Sequence, residues 1–323
     1  MDPELRAAAA SLPPLAFSDL DTIRRTMNDF LGGRAVDRSG VVVEDRVVPE
    51  SEDLAAVAVR MLLPESDSAS QLRGGVLSIH GGGFALGLAK MDDGSNAQIV
   101  RETGAVVVSV DYRLAPENPF PGPADDCYAA LVWLAEHATE LGVDPTRIIV
   151  LGVSAGATLA ATTALMARER GGPAIALQVL LEPSLDDRLR TPSMRNGTDT
   201  VGWNNSLAAQ SWDMYLAGKH DIPPALSVPA REVDLAGLPP AYISVNELDC
   251  LRDEGLEFAG RLLAAGVSTE LHVWPGTFHG AAGLVPGAEI SRCARAVLHD
   301  ALRRGLRTQA LVASEKGISD VND

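Results

Sequence analysis

The stretch from Ile148 to about Arg170 constrains the fold more than any other part of the chain. Four apolar residues, Ile148-Ile149-Val150-Leu151, run directly into Gly152-Val153-Ser154-Ala155-Gly156 and then into an uncharged, Ala-rich segment. An apolar run bounded by Gly predicts a buried strand, and the segment behind it predicts a helix from Ser154 to about Arg170. Strand, sharp turn and helix, with small residues on both sides of one serine, is the context that a G-x-S-x-G nucleophile elbow requires. Such a turn lifts the serine hydroxyl above the sheet, with the first N–H groups of the helix directed at it. An ordinary Ser N-cap is the alternative reading of the same residue.

The rest of the chain keeps this rhythm. Val-rich runs at Val41 to Val48, Leu54 to Leu63, Gly74 to Ile79 and Ala105 to Tyr112 read as strands, the first two as antiparallel neighbours. A helix near Ala124 to Leu141 precedes the strand at Ile148, and a strand at Ile175 to Leu181 follows the elbow helix. Residues 185 to 238 carry Trp203, Trp212, Met214, Tyr215 and several Pro, break the alternation, and are expected outside the sheet. Strand Ala241 to Val245, helix Asp253 to Ala265, strand Thr269 to Trp274 and helix Pro286 to Leu306 then resume it. Repeated strand–helix–strand units impose right-handed crossovers, so the predicted class is α/β with a mostly parallel central sheet and helices on both faces. Residues 1 to 40 read as helices, with Ser18 as an N-cap and Met27 and Phe30 on one apolar face. Residues 309 to 323 read as a polar tail.

Composition narrows the function classes. With 323 residues, 46% of them apolar, the chain can bury one large core, and its net charge of −16 repels phosphate backbones and anionic bilayers. No Lys/Arg stripe is present, so nucleic acid and membrane surfaces are poor partners and a neutral or weakly charged substrate fits better. The run Ala155 to Ala167 is too short to span a bilayer. Asp2, Glu4 and Arg6 stand where a signal peptide needs a basic start and an apolar core, so the expected location is cytoplasmic. Cys127, Cys250 and Cys293 are odd in number and far apart, which suits reduced thiols better than disulfides or a Cys-based zinc site.

A second motif, His80-Gly81-Gly82-Gly83-Phe84, follows the strand at Gly74 directly. Consecutive glycines let backbone N–H groups approach a ligand oxygen without side chains between, as an oxyanion hole requires. A dinucleotide-binding turn is excluded by spacing, because Leu86 stands where a third Gly is needed. A serine nucleophile also needs a base and a carboxylate that orients it. His279, in Gly276-Thr277-Phe278-His279-Gly280, lies just beyond the strand Thr269 to Trp274, on the sheet edge where the other strands end. His137, His220, His272 and His299 suit surface or packing roles, and His80 suits holding the glycine loop. Asp249 follows the strand Ala241 to Val245; Glu247, Asp253 and Glu254 compete, the last two with a ready alternative as N-terminal helix charges. The order Ser154, Asp249, His279 is that of α/β-hydrolases.

These motifs, with Asp111-Tyr112-Arg113-Leu114-Ala115-Pro116-Glu117, Leu185-Asp186-Asp187-Arg188, Asp249-Cys250-Leu251-Arg252-Asp253-Glu254-Gly255 and Phe278-His279-Gly280, resemble the hormone-sensitive-lipase family of α/β-hydrolases over about residues 40 to 305. Phe120-Pro121-Gly122-Pro123 and Leu181-Glu182-Pro183 are similar to the bacterial heroin-esterase subgroup. The resemblance implies a serine carboxylesterase acting on short-chain acyl esters of small or aromatic alcohols. It makes Ser154 the nucleophile, His279 the base and acid, Asp249 the orienting carboxylate, and Gly82, Gly83 and Ala155 the oxyanion-hole donors. It implies helical cap segments at 1–40 and 185–238 on a core of 41–184 and 239–308, no metal or organic cofactor, and a homodimer through an edge strand. Phe84, Trp203, Trp212, Tyr215, Leu251 and Phe278 are the expected pocket residues, with ordinary cap packing as the alternative. Amide, lactone or carbonate hydrolysis would use the same groups, and a ligand-binding receptor on a hydrolase scaffold would be expected to lack one of them. The family usually has Pro where Cys250 stands.

Overall fold

The middle of the chain alternates strands buried on both faces with helices that cover them. The computed structural model describes residues 1–12, 17, 19–33, 36–65 and 72–307. Its elements in chain order are α1 (Arg6–Ser11), α2 (Leu20–Gly33), β1 (Val41–Val48), β2 (Val57–Pro64), β3 (Arg73–Ile79), α3 (Asp93–Thr103), β4 (Val106–Asp111), α4 (Gly122–Glu136), β5 (Val143–Val153), α5 (Ala155–Glu169), β6 (Leu177–Leu181), α6 (Pro192–Arg195), α7 (Asn205–Leu216), β7 (Ala241–Asn246), α8 (Arg252–Ala264), β8 (Thr269–Trp274), α9 (Ala281–Leu284) and α10 (Glu289–Gly305). The eight strands form one sheet in the order β1-β2-β4-β3-β5-β6-β7-β8. β2 runs antiparallel to β1 and β4, and every other neighbouring pair is parallel.

Period-two alternation divides the strand side chains between two cores. Leu77, Ile79, Val106, Val108, Val110, Ile148 and Val150 pack with α4, α5 and α8 on one face. Val76, Val107, Ile149, Leu151 and Val179 pack with α3 and α10 on the other. The elbow helix α5 is buried from Ala155 to Ala167, which explains why its sequence lacks a polar face. Between β6 and β7 the chain carries α6 and α7 and no strand.

Two differences from the sequence reading have physical causes. The periodicity gives no sign of α3, because its buried face mixes Ala97, Ile99 and Val100 with the polar Asp93 and Asn96. Asp93 is satisfied by the Arg60 guanidinium at 2.7 and 2.9 Å and by Arg38 at 2.5 Å, so burial of that charge is compensated. Helix α2 begins at Leu20, with Asp19 Oδ1 accepting the Thr22 N–H at 3.0 Å. Ser18, the side chain of Phe30 and residues 309–323 lie outside the described residues.

Candidate active site

Ser154 stands between β5 and α5 at φ 56° and ψ −120°, a backbone state that a side-chain-bearing residue adopts only under constraint. The constraint comes from its flanks. A Cβ on Gly152 would lie 2.1 Å from Gly156 O, and one on Gly156 would lie 2.2 Å from Ile79 O. Only glycine fits at either place, which is the physical content of the motif's spacing. The Ser154 N–H donates to Leu181 O at 2.8 Å and ties the turn to the end of β6.

Two loops reach the serine from neighbouring strand ends. His279, beyond β8, places Nε2 3.0 Å from Ser154 Oγ and Nδ1 2.6 Å from Asp249 Oδ2. Asp249, beyond β7, is buried, and its Oδ1 accepts the Leu251 N–H at 3.0 Å. Burial pulls the imidazole pKa down, but the charges of Asp249 and Glu182 outweigh it and raise it to about 9. With Nδ1–H given to Asp249, the neutral ring presents Nε2 as the acceptor for the serine proton.

The glycine loop lies against the elbow: a Cβ on Gly81 would sit 3.4 Å from Ser154 Cβ. Gly82 and Gly83 have φ of 121° and 59°. Among the described residues, the backbone N–H groups of Gly82 and Gly83 donate to no backbone acceptor. His80 is buried, donates Nδ1–H to Gly81 O at 2.7 Å and stacks on Tyr112 with ring centroids 4.2 Å apart. Burial lowers its pKa to about 4, so it is a neutral brace for this loop.

The competing groups are engaged elsewhere. Glu247 accepts the Gly276 N–H at 2.6 Å, Asp253 accepts the Ser193 N–H at 2.7 Å, and Glu254 accepts the Leu185 N–H at 2.7 Å. His272 pairs with Glu270, and His137 bonds Trp133 O. Cys250 is buried beside Asp249 with Sγ 3.8 Å from Trp203 O, and burial pushes its thiol pKa up, which keeps it protonated and unreactive.

Of the six expected pocket residues, all are buried but they fall into three groups. Phe84 stacks on Tyr215 at 4.0 Å and tilts against Trp212 at 5.2 Å. Trp203 packs with Leu251 in a separate cluster, and it spans the site: its ring centroid is 5.9 Å from that of His279, and a Cβ on Gly83 would meet its indole at 2.6 Å. Phe278 lies apart from both, packed with Leu5, Ala281 and Ala288.

One residue of the site escaped the sequence reading of roles. Glu182 follows β6 directly, its Oε2 accepts the Gly280 N–H at 2.7 Å, and it lies 3.7 Å from His279 Nδ1. A charge one residue past an apolar strand, on the edge that carries Ser154, Asp249 and His279, was the available signal. Ligand atoms of Glu182, Asp249 and His279 lie within 4.8 Å of one another. A cation there would have to displace the hydrogen bond that Nδ1 makes to Asp249, so the set is better built for a proton.

A serine, an imidazole and a carboxylate linked in series at the carboxyl edge of a parallel sheet, beside a glycine loop, define a hydrolase of the α/β class. A family model described as alpha/beta hydrolase fold matches residues 76–283, and the chain belongs to that family, as its resemblance to the hormone-sensitive-lipase group implies. A bacterial heroin esterase structure is 46% identical with a TM-score of 0.90, covering 95% of this chain and 98% of that one. Esterase LipI of Mycobacterium tuberculosis is 44% identical over 218 residues, which is 66% of this chain and 68% of that protein. An arylesterase of Saccharolobus solfataricus is 32% identical over 275 residues, covering 83% of this chain and 88% of that protein. No helix among the described residues is long and apolar enough to cross a membrane.

Proposed function

We propose that the chain is a serine carboxylesterase with Ser154 as nucleophile, His279 as general base and acid, and Asp249 as the carboxylate that orients it. The observation that carries this reading is the Asp249–His279–Ser154 series, 2.6 and 3.0 Å long. Ser154 Oγ attacks the ester carbonyl as its proton passes to His279 Nε2, and Asp249 stabilises the imidazolium. Gly82, Gly83 and Ala155 donate to the oxyanion that forms. His279 then protonates the departing alcohol, and water hydrolyses the acyl-enzyme by the same steps in reverse order.

Short acyl esters of small or aromatic alcohols are the substrates of this reading; the printed name arylesterase of one relative supports an aromatic alcohol, and the aromatic side chains of Trp203 and Phe84 at the glycine loop suit such a group. Reduced thiols at Cys127, Cys250 and Cys293 support a cytoplasmic setting. The test is hydrolysis of p-nitrophenyl esters of increasing acyl length, with folded Ser154→Ala as the matched control. Turnover that falls with chain length and disappears in Ser154→Ala is expected; turnover that persists in Ser154→Ala assigns the wrong nucleophile.

A further inference from the structure

Two carboxylates address one imidazole in this site. Asp249 Oδ2 takes the Nδ1 proton at 2.6 Å, while Glu182 Oε2 lies 3.7 Å from the same nitrogen. The Glu182 side chain is only 13% exposed, and its Oε2 accepts both the Gly280 N–H and the Asn246 amide. Asn246 in turn receives the Thr277 hydroxyl at 2.7 Å, so the loop that carries His279 is held to the ends of β6 and β7 on both sides of the imidazole. Glu182 adopts φ 42°, a left-handed state that costs a non-glycine residue energy. Its N–H donates to Ser244 O at 2.7 Å, and the preceding Leu181 O accepts the Ser154 N–H. A mostly buried carboxylate on a strained residue, held to the base's loop and lying in the base's field one residue past the carbonyl that takes the Ser154 N–H, is more than a strand terminator needs.

We propose that Glu182 is a positioning residue for His279, a second carboxylate that fixes the imidazole loop through Gly280 and favours the imidazolium formed when Ser154 gives up its proton. The proposal rests on the assignment of His279 as the base. With both acids ionised and the ring neutral, the three groups carry two negative charges; proton transfer from Ser154 reduces this to one. The like-charge strain is therefore relieved as the transition state forms, which is where stabilisation accelerates a reaction. Among the other titratable groups near the pair, burial pushes up the pKa of Cys250 on the Asp249 loop and of Glu254 on α8, in both cases disfavouring the anion, while Arg252 pairs with Asp253 and Glu247 holds the Gly276 N–H. Burial and, less strongly, the Asp249 charge raise the Glu182 carboxyl as well, while the protonated His279, the Gly280 N–H and the Asn246 amide oppose the rise, so the charge count holds on the alkaline side, where Glu182 is ionised.

The sign of the effect separates this role from a merely structural one. Removing a negative charge beside Nδ1 lowers the imidazole pKa, so the pH at which kcat/KM reaches half of its alkaline plateau should move toward acid. For Glu182→Gln, measured with p-nitrophenyl acetate, we expect a shift of about one unit or more, equivalent to about tenfold in the protonation equilibrium. The plateau kcat should also fall about tenfold with KM nearly unchanged. Glu182→Asp, which keeps the charge but retracts it, should give a midpoint between those of Glu182→Gln and the unaltered chain. An NMR titration of the His279 imidazole, assigned by loss of its signal in His279→Gln, reads the same pKa without any turnover. A folded Glu182→Gln or Glu182→Asp protein whose imidazole titrates as in the unaltered chain overturns the proposal, whatever happens to its rate or melting temperature. If no Ser154-dependent turnover is found but the imidazole pKa shifts, the esterase assignment fails while the electrostatic coupling stands.

Discussion

Replacing Gly82 with Ala tests the glycine loop most sharply. At φ 121° a side-chain-bearing residue costs about 1–3 kcal/mol, and the new Cβ would lie 2.2 Å from Leu86 O and 2.6 Å from Leu86 C. Backbone contacts of Cβ below 3.0 Å do not persist, so the turn must open by about 0.8 Å, the difference between 3.0 and 2.2 Å. It cannot do so freely, because the Leu86 N–H donates to Gly82 O at 2.9 Å and closes the turn on itself. The displacement therefore passes to the N–H groups of Gly82 and Gly83. A shift near 1 Å in a catalytic group costs about 10²-fold, and loss of one oxyanion donor costs about 10²–10³-fold, so kcat should fall within that range with KM changed by less than about threefold. The assay is steady-state hydrolysis of p-nitrophenyl acetate, with circular dichroism to verify folding. Gly104→Ala is the control: its φ is also positive, at 70°, but nothing lies within 4 Å, so it should lose about 1 kcal/mol of stability and keep its kcat. A folded Gly82→Ala enzyme with kcat close to that of the unaltered chain refutes the assignment of this loop to the oxyanion.

Asp249→Asn should lower kcat by about 10³–10⁴ with little change in KM, since the amide cannot hold the imidazolium; Asp253→Asn, whose carboxylate faces Ser193, should leave kcat nearly unchanged. Steady-state kinetics on both variants decides between them, and the reverse ranking moves the orienting role to Asp253. Arg24 on α2 donates to Ala85 O and Ala115 O, each at 2.9 Å, and forks onto Glu117, whose side chain is 55% exposed. Arg24→Met leaves two carbonyls of buried residues without this partner and should cost about 2–4 kcal/mol, whereas Glu117→Gln should cost less than about 1 kcal/mol because an exposed pair is screened. Denaturant unfolding measures both, and equal losses would mean that the ion pair, and not the carbonyl contacts, docks the helix. Because Ala85 belongs to the turn closed by Gly82, the Arg24→Met enzyme should also lose kcat.

The fold class and the candidates Ser154 and His279 were legible from local pattern, and the family resemblance singled out Asp249 from Glu247, Asp253 and Glu254. An apolar strand, a glycine-flanked turn and a helix leave few conformations, because Gly152 and Gly156 fill places where any Cβ collides with backbone. The parallel sheet then orders the outcome: loops after β5, β7 and β8 must emerge on one edge, so candidates in those loops converge although they are far apart in sequence. Tertiary structure alone decided what depends on direction. It packed Phe278 with Leu5, Ala281 and Ala288 and brought Trp203 to His279, since position in sequence does not say which way a ring points. It hid α3 from the periodicity by satisfying Asp93 with arginines from two distant segments. It also set Glu182 beside His279 Nδ1, a charge–charge distance that exists only once β6, β7 and β8 lie side by side.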